Sequence, residues 1–260
     1  MSTTLSVHEI PPRREHKYVV PVEVADEFRD ILRRHAVLDD FAATQPGGTY
    51  DLTSLYYDTA DLELFALGAH RVRKRFRLRV RSYGDDVRAP TFFEVKHRIG
   101  DIIMKRRAFV EPTQWPGIIA GDVEPRDDLA RDFVARVQGL QARPTLLVRY
   151  RREPWKTLID RYVRVTFDSR LAFALVDPDD PPTLRPVDAE WQAADDEDSF
   201  GDDGPLVLIE VKVEEGAPRW LSSAIRDLGM QRRGYSKFAT GIARCFGPRL
   251  DDVMRRVPVR

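Results

Sequence analysis

One stretch of the sequence constrains the fold more than any other. Residues 74–84 read Lys-Arg-Phe-Arg-Leu-Arg-Val-Arg-Ser-Tyr-Gly. In an extended strand, successive side chains point to opposite faces of the sheet. The apolar side chains of this run would then share one face, and the arginines would share the other: Arg75, Arg77, Arg79 and Arg81. A helix would scatter these arginines around its circumference, so the pattern favours a strand with one apolar and one cationic face.

Charged faces recur in other strand-like runs. Four neighbouring cations repel each other unless solvent, carboxylates or a polyanion neutralise them, and a solvated outer face is the simplest interpretation of one such strand. The same alternation returns in residues 91–98, 101–110, 161–168 and 206–213. The charged side chains that share a face there are Glu94 with Lys96, Lys105 with Arg107, Arg164 with Asp168, and Glu210 with Lys212. This recurrence favours a barrel with a polar interior over an isolated charged strand.

The sequence therefore predicts an α+β fold. It is a closed antiparallel β-barrel tunnel with a polar lumen and with helices packed on the outside. A first strand is expected at residues 13–20, with Glu15 and Lys17 on one face, and another at residues 50–59. Helical periodicity is found at residues 21–35, 127–140 and 217–228, and a last helix is expected to end near Phe246.

Three segments are expected to lie outside the barrel proper, within a domain that covers residues 13–247. Residues 1–12 are expected to form a flexible N-terminal tail and residues 248–260 a C-terminal tail. Residues 177–203 contain eleven acids and one base, a net charge of −10, and the neutral balance of the whole chain leaves about +10 elsewhere. We expect this acidic stretch to be a surface excursion in preference to a cover over the tunnel mouth. The positive remainder predicts an anionic partner.

Several classes of protein are excluded or disfavoured. The single cysteine, Cys245, excludes an internal disulfide. No run approaches the roughly 18 apolar residues that span a bilayer, and residues 1–12 lack the apolar core of a signal peptide. We therefore expect a soluble cytoplasmic protein without a membrane span. The sequence contains no phosphate loop of the Walker type and no zinc-spaced Cys/His cluster.

The charged faces predict a phosphate-binding site if they line one lumen. Lysine and arginine bind phosphate oxygens through charge-assisted hydrogen bonds. The candidate cations are Lys17, Arg77, Arg79, Arg81, Lys96, Lys105, Arg107, Arg152, Arg164, Lys212 and Lys237. Glu15, Glu94 and Glu210 would supply the oxygen ligands that Mg²⁺ and Mn²⁺ prefer, and such an ion can bridge carboxylate to phosphate. The site would suit a triphosphate or a longer phosphate chain.

Eight short motifs follow one another in the chain. They are Glu15-His16-Lys17-Tyr18, Ser54-Leu55-Tyr56-Tyr57-Asp58-Thr59, Arg77-Leu78-Arg79-Val80-Arg81-Ser82-Tyr83-Gly84, Glu94-Val95-Lys96-His97-Arg98, Arg149-Tyr150-Arg151-Arg152, Arg164-Val165-Thr166-Phe167-Asp168, Glu210-Val211-Lys212 and Ser236-Lys237-Phe238. No single motif is specific. In this order, over roughly residues 13–247, they resemble the VTC domain, the polyphosphate polymerase branch of the triphosphate tunnel metalloenzymes within the CYTH-like superfamily.

This resemblance implies a transferase that moves the γ-phosphate of ATP onto inorganic polyphosphate, with Mn²⁺ or Mg²⁺ as cofactor. It implies a catalytic set of Lys17, Arg79, Arg81, Lys96, Arg152, Arg164 and Lys237. The implied substrate-binding set is Arg77, Lys105, Arg107, Tyr150, Lys212 and Ser236. Glu210 is implied as a metal ligand, and Glu94 and Glu15 are the further candidates. Neither a nucleic acid nor a membrane is an expected partner.

Alternatives remain open at this point. Related tunnel hydrolases begin with Glu-x-Glu-x-Lys, whereas Arg13 stands at the first position here, which favours the polymerase branch. A hydrolase of triphosphate or polyphosphate and a non-catalytic phosphate-binding module are the competing interpretations. Each Glu/Lys pair alone also fits a structural ion-pair lattice, and Asp168 could orient Arg164 instead of binding metal. Tyr56 and Tyr57 are expected to be core or rim aromatics, and Arg106 to face solvent.

Overall fold

The computed structural model describes residues 14–100, 102–158, 163–194, 205–214 and 216–256. Arg13, the expected N-terminal tail and the end of the acidic stretch from Asp195 onward lie outside the described residues. So do residues 159–162, where the predicted strand at 161–168 was expected to begin.

The described residues form a ten-stranded antiparallel sheet. Its strands are β1 (Arg14–Pro21), β2 (Ala36–Leu38), β3 (Tyr50–Asp58), β4 (Lys74–Tyr83), β5 (Thr91–Ile99), β6 (Ile102–Val110), β7 (Arg143–Thr157), β8 (Val163–Leu175), β9 (Gln192–Ala193) and β10 (Leu206–Val213). The order across the sheet is β1-β10-β8-β7-β3-β4-β5-β6, with β2 on β7 and β9 on β8. The predicted arginine strand is β4, between β3 and β5.

Eight helices are seen in the described part of the chain. They are α1 (Val22–Leu32), α2 (Asp40–Ala43), α3 (Glu63–Ala69), α4 (Trp115–Ala120), α5 (Asp128–Gly139), α6 (Arg219–Asp227), α7 (Lys237–Phe246) and α8 (Arg249–Arg256). The Asp127 carboxylate accepts a hydrogen bond from the Leu129 N–H at 2.7 Å, and Ser236 Oγ accepts one from the Ala239 N–H at 3.1 Å. These caps satisfy backbone donors that would otherwise lack partners where α5 and α7 begin.

The sheet is a curled half-barrel, so the prediction of a closed barrel is not confirmed. The path across the sheet ends at β1 and β6, and these two strands are not paired with each other in the described residues. The free edge of β1 instead contacts a later segment. Arg233 donates its backbone N–H to the Lys17 carbonyl at 2.9 Å, and Arg232 forms an isolated bridge with Tyr18. A covered edge cannot also pair with β6.

One face of the sheet packs against α1, α4, α5 and α6, as predicted. Leu78, Val80, Phe93 and Val95 are buried against Phe133 and its neighbours on α5. Ile209 and Val211 of β10 are buried with residues of α1 and α6. The alternation seen in the sequence is therefore confirmed: the apolar side chains of these strands point into two hydrophobic cores, and the charged ones point to the other face.

The last major helix corrects the prediction that the helices pack only on the outside. α7 lies on the cavity face, where Phe238 and Ile242 are buried with Leu146 and Phe173. Gly241 permits this close approach, because a Cβ there would lie 2.6 Å from side-chain atoms of both Leu146 and Phe173. Apolar packing fills this part of the half-barrel and leaves the rest as a cavity.

Two further segments differ from a simple loop or tail. Within residues 177–194 of the acidic stretch, Leu184 is buried in the hydrophobic core around Phe133, and β9 pairs with β8. In the segment expected as a C-terminal tail, α8 places Leu250, Val253 and Met254 against the apolar cluster around α7. Both segments therefore contribute apolar contacts.

Candidate active site

The predicted site residues converge on one cavity of about 420 Å³ on the inner face of the half-barrel. Those that line it are Glu15, Lys17, Arg77, Arg79, Arg81, Lys96, Lys105, Arg107, Tyr150, Arg152, Arg164, Glu210, Lys212, Ser236 and Lys237. Glu94 is the exception among the predicted residues. It is 0% exposed and lies beneath the surface of the cavity wall.

Glu94 joins two cations of that wall. The Arg79 Nε donates a hydrogen bond to Glu94 Oε2 at 2.7 Å, and the Lys105 ammonium forms an ion pair with Oε1. Arg79 and Lys105 hold the pKa of Glu94 well below its usual range, although burial acts in the opposite direction. A buried carboxylate that is paired in this way fixes both cations in place.

A second ionic cluster connects β7, β8, β10 and α7. Arg152 donates two hydrogen bonds to the Asp168 carboxylate, each at 2.7 Å, and Lys237 donates to Asp168 at 2.6 Å. Lys237 also donates to Glu210 at 3.1 Å. One alternative from the sequence was that Asp168 orients Arg164; the contacts described here are with Arg152 and Lys237.

Glu15 and Glu210 meet at the ammonium of Lys17. The Lys17 Nζ lies 3.1 Å from a Glu15 oxygen and 3.3 Å from a Glu210 oxygen. Across the open side of the half-barrel, Lys96 approaches Glu15 to 3.6 Å. Glu15 raises the pKa of Lys96, but burial and the nearby charges of Lys17 and Arg79 outweigh it and lower the pKa to about 8.

The start of α7 also reaches the arginine strand. Arg77 Nη1 donates a hydrogen bond to Ser236 Oγ at 2.6 Å, and its guanidinium lies over the Phe238 ring at 5.3 Å. Lys17 donates to the Tyr235 carbonyl at 3.1 Å. The segment before α7 therefore contacts β1 and β4, which lie on the two sides of the cavity.

Two tyrosines in the cavity were missed as site residues. The Tyr56 hydroxyl accepts a hydrogen bond from Arg79 Nη1 at 2.8 Å. Burial raises the pKa of the Tyr56 phenol, but Arg79, Arg81 and Arg77 outweigh it and lower it to about 8. In Tyr83, burial is likewise outweighed by Lys105 and other cations, and the pKa is about 8. The alternation of β3 and β4 could have placed both rings on the face that carries the arginines.

Two of the three predicted carboxylates are placed where they could hold a metal ion. Among the described residues, no group of three or more His, Cys, Asp or Glu side chains is arranged to hold a metal ion. Mg²⁺ is often held by only one or two carboxylates, and the substrate phosphates supply the further ligands. Glu15 and Glu210, which both pair with Lys17, fit this arrangement. Glu94 does not fit, because its side chain is 0% exposed and does not line the cavity, whereas Glu15 and Glu210 do.

The fold is an α+β half-barrel whose curled antiparallel sheet presents cations to a cavity on its inner face. The chain belongs to the VTC domain family, which matches residues 12–246. This match confirms the family that the sequence motifs indicated. A search of curated proteins gave no match.

Solved structures support the fold. A protein from Hippeastrum, described as a candidate adenylyl cyclase with a dominant triphosphatase activity, superposes with a TM-score of 0.52 at 16% identity. That match covers 91% of this chain and 98% of the other. A candidate adenylate cyclase from Bacillus halodurans superposes with a TM-score of 0.50 at 11% identity, covering 87% of this chain and 94% of the other. At these identities the likeness concerns the fold alone.

None of the helices in the described ranges has both the length and the apolar character needed to cross a membrane.

Proposed function

We propose that this protein is a metal-dependent polyphosphate polymerase, which transfers the γ-phosphate of ATP onto a growing inorganic polyphosphate chain and releases ADP. The main support is the convergence of cations from strands far apart in the chain on one cavity. A polyanion is the ligand that such a surface would bind. Membership of the VTC domain family supports the same class of substrate.

The proposed reaction needs no protein nucleophile. An oxygen of the terminal phosphate of the chain forms a bond to the γ-phosphorus, while the bond from that phosphorus to the bridging oxygen breaks and ADP retains the electron pair. Such transfers depend on positioning and on neutralising charge on the phosphoryl oxygens. We assign this neutralisation to Lys17, Arg79, Arg81, Lys96, Arg152, Arg164 and Lys237. We assign substrate binding to Arg77, Lys105, Arg107, Tyr150, Lys212 and Ser236.

The carboxylates have different proposed tasks. Mn²⁺ or Mg²⁺ bound by Glu210, with Glu15 beside it, would neutralise further charge on the phosphates. Glu94 and Asp168 hold cations of the site in position. These ion pairs hold the phosphate-binding cations in position before the substrate enters. Less free energy is then needed to organise the site during the reaction.

Hydrolysis is the second candidate function. It is favoured by the superposition on the Hippeastrum protein, whose description names a dominant triphosphatase activity. Water would then replace the polyphosphate chain as the acceptor in the same site.

The test is incubation of the purified protein with ATP and Mn²⁺, followed by gel analysis of the products. We expect a ladder of long phosphate chains together with ADP. Release of orthophosphate without chains would overturn the polymerase and establish the hydrolase. Binding of ATP without turnover would overturn both and identify a non-catalytic phosphate-binding module.

A further inference from the structure

The two ends of the cavity differ in the side chains that surround them. In an antiparallel sheet, the start of one strand lies beside the end of its neighbour. β3 begins, β4 ends, β5 begins and β6 ends at the same edge of the half-barrel. Each of these four strands places one aromatic residue there: Tyr50, Tyr83, Phe92 and Phe109.

These rings form a continuous row. The centroids of Tyr50 and Tyr83 are 6.1 Å apart, those of Tyr83 and Phe92 are 5.5 Å apart, and those of Phe92 and Phe109 are 5.7 Å apart. Phe41 of α2 extends the row, with its ring 4.9 Å from Tyr50. We call these five residues the aromatic row. It follows one rim of the half-barrel across four strands and one helix.

The row adjoins the phosphate cavity and reaches the surface. Phe41, Tyr50 and Tyr83 line the cavity together with Arg81 and Arg107. Phe41 and Phe109 each expose 40% of their surface, which is a high fraction for phenylalanine. The Arg107 guanidinium lies 4.9 Å from the centre of the Phe92 ring, so a cation of the phosphate site contacts the row directly.

The opposite end of the cavity is lined mainly by cationic side chains. There it adjoins a second cavity of about 400 Å³, and the residues that line both are Glu15, Lys17, Arg77, Lys96, Ile103 and Ser236. The second cavity is lined in addition by arginines from two strands and from the segment before α7: Arg75, Arg98, Arg232 and Arg233. Cations dominate its lining, whereas the first end is lined by three aromatic rings of the row, Phe41, Tyr50 and Tyr83.

We propose that the aromatic row is the subsite for the base of a nucleoside triphosphate. The base stacks at this rim, and the triphosphate extends along the arginines of β4 toward the second cavity. Stacking needs a flat π-surface beside the phosphate site, and only the aromatic end of this cavity provides a row of such rings among the described residues. The inference rests on the proposed function, because it assumes that the cationic cavity binds a triphosphate.

Phe41 is the residue on which to test the subsite, because its ring is exposed. We would measure the dissociation constants of ATP and of inorganic triphosphate side by side by calorimetry. In Phe41→Ala, we expect ATP affinity to fall about tenfold, the range of one base–aromatic stack, while the affinity for inorganic triphosphate stays unchanged. Phe41→Trp, which keeps a stacking surface, should restore ATP binding.

Met104→Ala is the matched control. Met104 is 42% exposed, but it lies on the face of β6 opposite to Lys105 and Arg107, so its truncation should alter neither dissociation constant. Unchanged ATP affinity in Phe41→Ala, or equal weakening of both ligands, would overturn the base subsite. Equal affinity of the wild-type protein for ATP and inorganic triphosphate would overturn it too, yet leave the cationic site intact. If the wild-type protein binds neither ligand, the proposed function itself fails.

Discussion

The cavity has two walls with different ionic composition. The first, which we call the arginine wall, belongs to β4, β5 and β6 and has one carboxylate, Glu94, beneath six cations: Arg77, Arg79, Arg81, Lys96, Lys105 and Arg107. The second, the carboxylate wall, belongs to β1, β7, β8, β10 and α7. It sets three carboxylates among five cations: Glu15, Asp168 and Glu210 with Lys17, Arg152, Arg164, Lys212 and Lys237.

Because of this difference, we assign the two walls different tasks: one attracts the phosphate chain and the other holds the metal ion. The arginine wall retains a large excess of positive charge, so it attracts a phosphate chain. The carboxylate wall places Glu15 and Glu210 in the lining of the cavity, where a divalent ion bound with the phosphates could contact them. The walls approach each other at the Lys96 and Glu15 pair, 3.6 Å apart, on the side where the sheet does not close.

The largest expected effect of a single substitution lies on the carboxylate wall. We expect Glu210→Gln to lower the rate of ATP turnover about 10³-fold, because charge stabilisation at the reacting phosphate is lost, while ATP binding changes little. Initial rates and dissociation constants would be measured with Mn²⁺. Glu153→Gln is the control, since Glu153 pairs with Arg29 outside the cavity. An unchanged rate in Glu210→Gln would remove Glu210 from the metal role.

A smaller effect, of a different kind, is expected on the arginine wall. Glu94→Gln leaves Arg79 and Lys105 without their buried counter-ion, and we expect the free energy of unfolding to fall by about 2 kcal/mol. Urea unfolding would measure this loss. Because Glu94 positions cations and does not touch the substrate, Glu94→Gln should also raise KM for ATP more than it lowers kcat. If turnover fell as far as in Glu210→Gln, the separation of tasks between the walls would be wrong.

Glu94 also shows which features of the site can be predicted from the sequence and which cannot. The period of two in residues 91–98 correctly placed Glu94 and Lys96 on the face that carries the arginines. Period alone cannot distinguish a carboxylate at the surface of that face from one buried beneath longer side chains. Arg79 and Lys105 extend over Glu94 from β4 and β6, and this contact depends on cross-strand register.

The opening of the barrel between β1 and β6 and the place of α7 escaped prediction for a related reason. The sequence shows which face of a strand is apolar, but it does not show which strands meet at the edges of the sheet. The segment from Arg232 to Ser236 is polar and irregular, and its backbone contacts with β1 have no sequence signature. The sequence predicted a last helix that ends near Phe246, whereas the position of this helix on the cavity face depends on Gly241 and on the shape of the sheet.

The junction between the walls should give the protein a pH-dependent affinity. Lys96, which faces Glu15, Lys17, Glu210 and Arg79, has a pKa of about 8 and is neutral above it. The phenols of Tyr56 and Tyr83, with pKa values of about 8, become negative over the same range. All three changes reduce attraction for an anion, so inorganic triphosphate should bind about tenfold more weakly at about pH 9 than at about pH 7.

Lys96→Arg separates the lysine from the tyrosines in this pH profile. Arginine keeps its charge throughout the range, so triphosphate affinity should fall less steeply with pH in Lys96→Arg. The fall that remains should come from the phenols of Tyr56 and Tyr83. A profile identical to that of the wild-type protein would show that the open side between the walls does not contribute to anion binding.

The smallest expected effect concerns the hydroxyl that supports Arg79 from β3. Tyr56→Phe keeps the ring, which stacks on Phe238 at 4.8 Å, and removes only the acceptor for Arg79 Nη1 at 2.8 Å. A single hydrogen bond of this kind contributes about 1 kcal/mol, so we expect triphosphate affinity to fall by about fivefold at neutral pH. Tyr57→Phe is the matched control, because Tyr57 packs on the opposite face in the outer core. If Tyr56→Phe bound triphosphate as tightly as Tyr57→Phe, Glu94 alone would suffice to position Arg79, and the arginine wall would depend on its buried carboxylate more than on the phenol beside it.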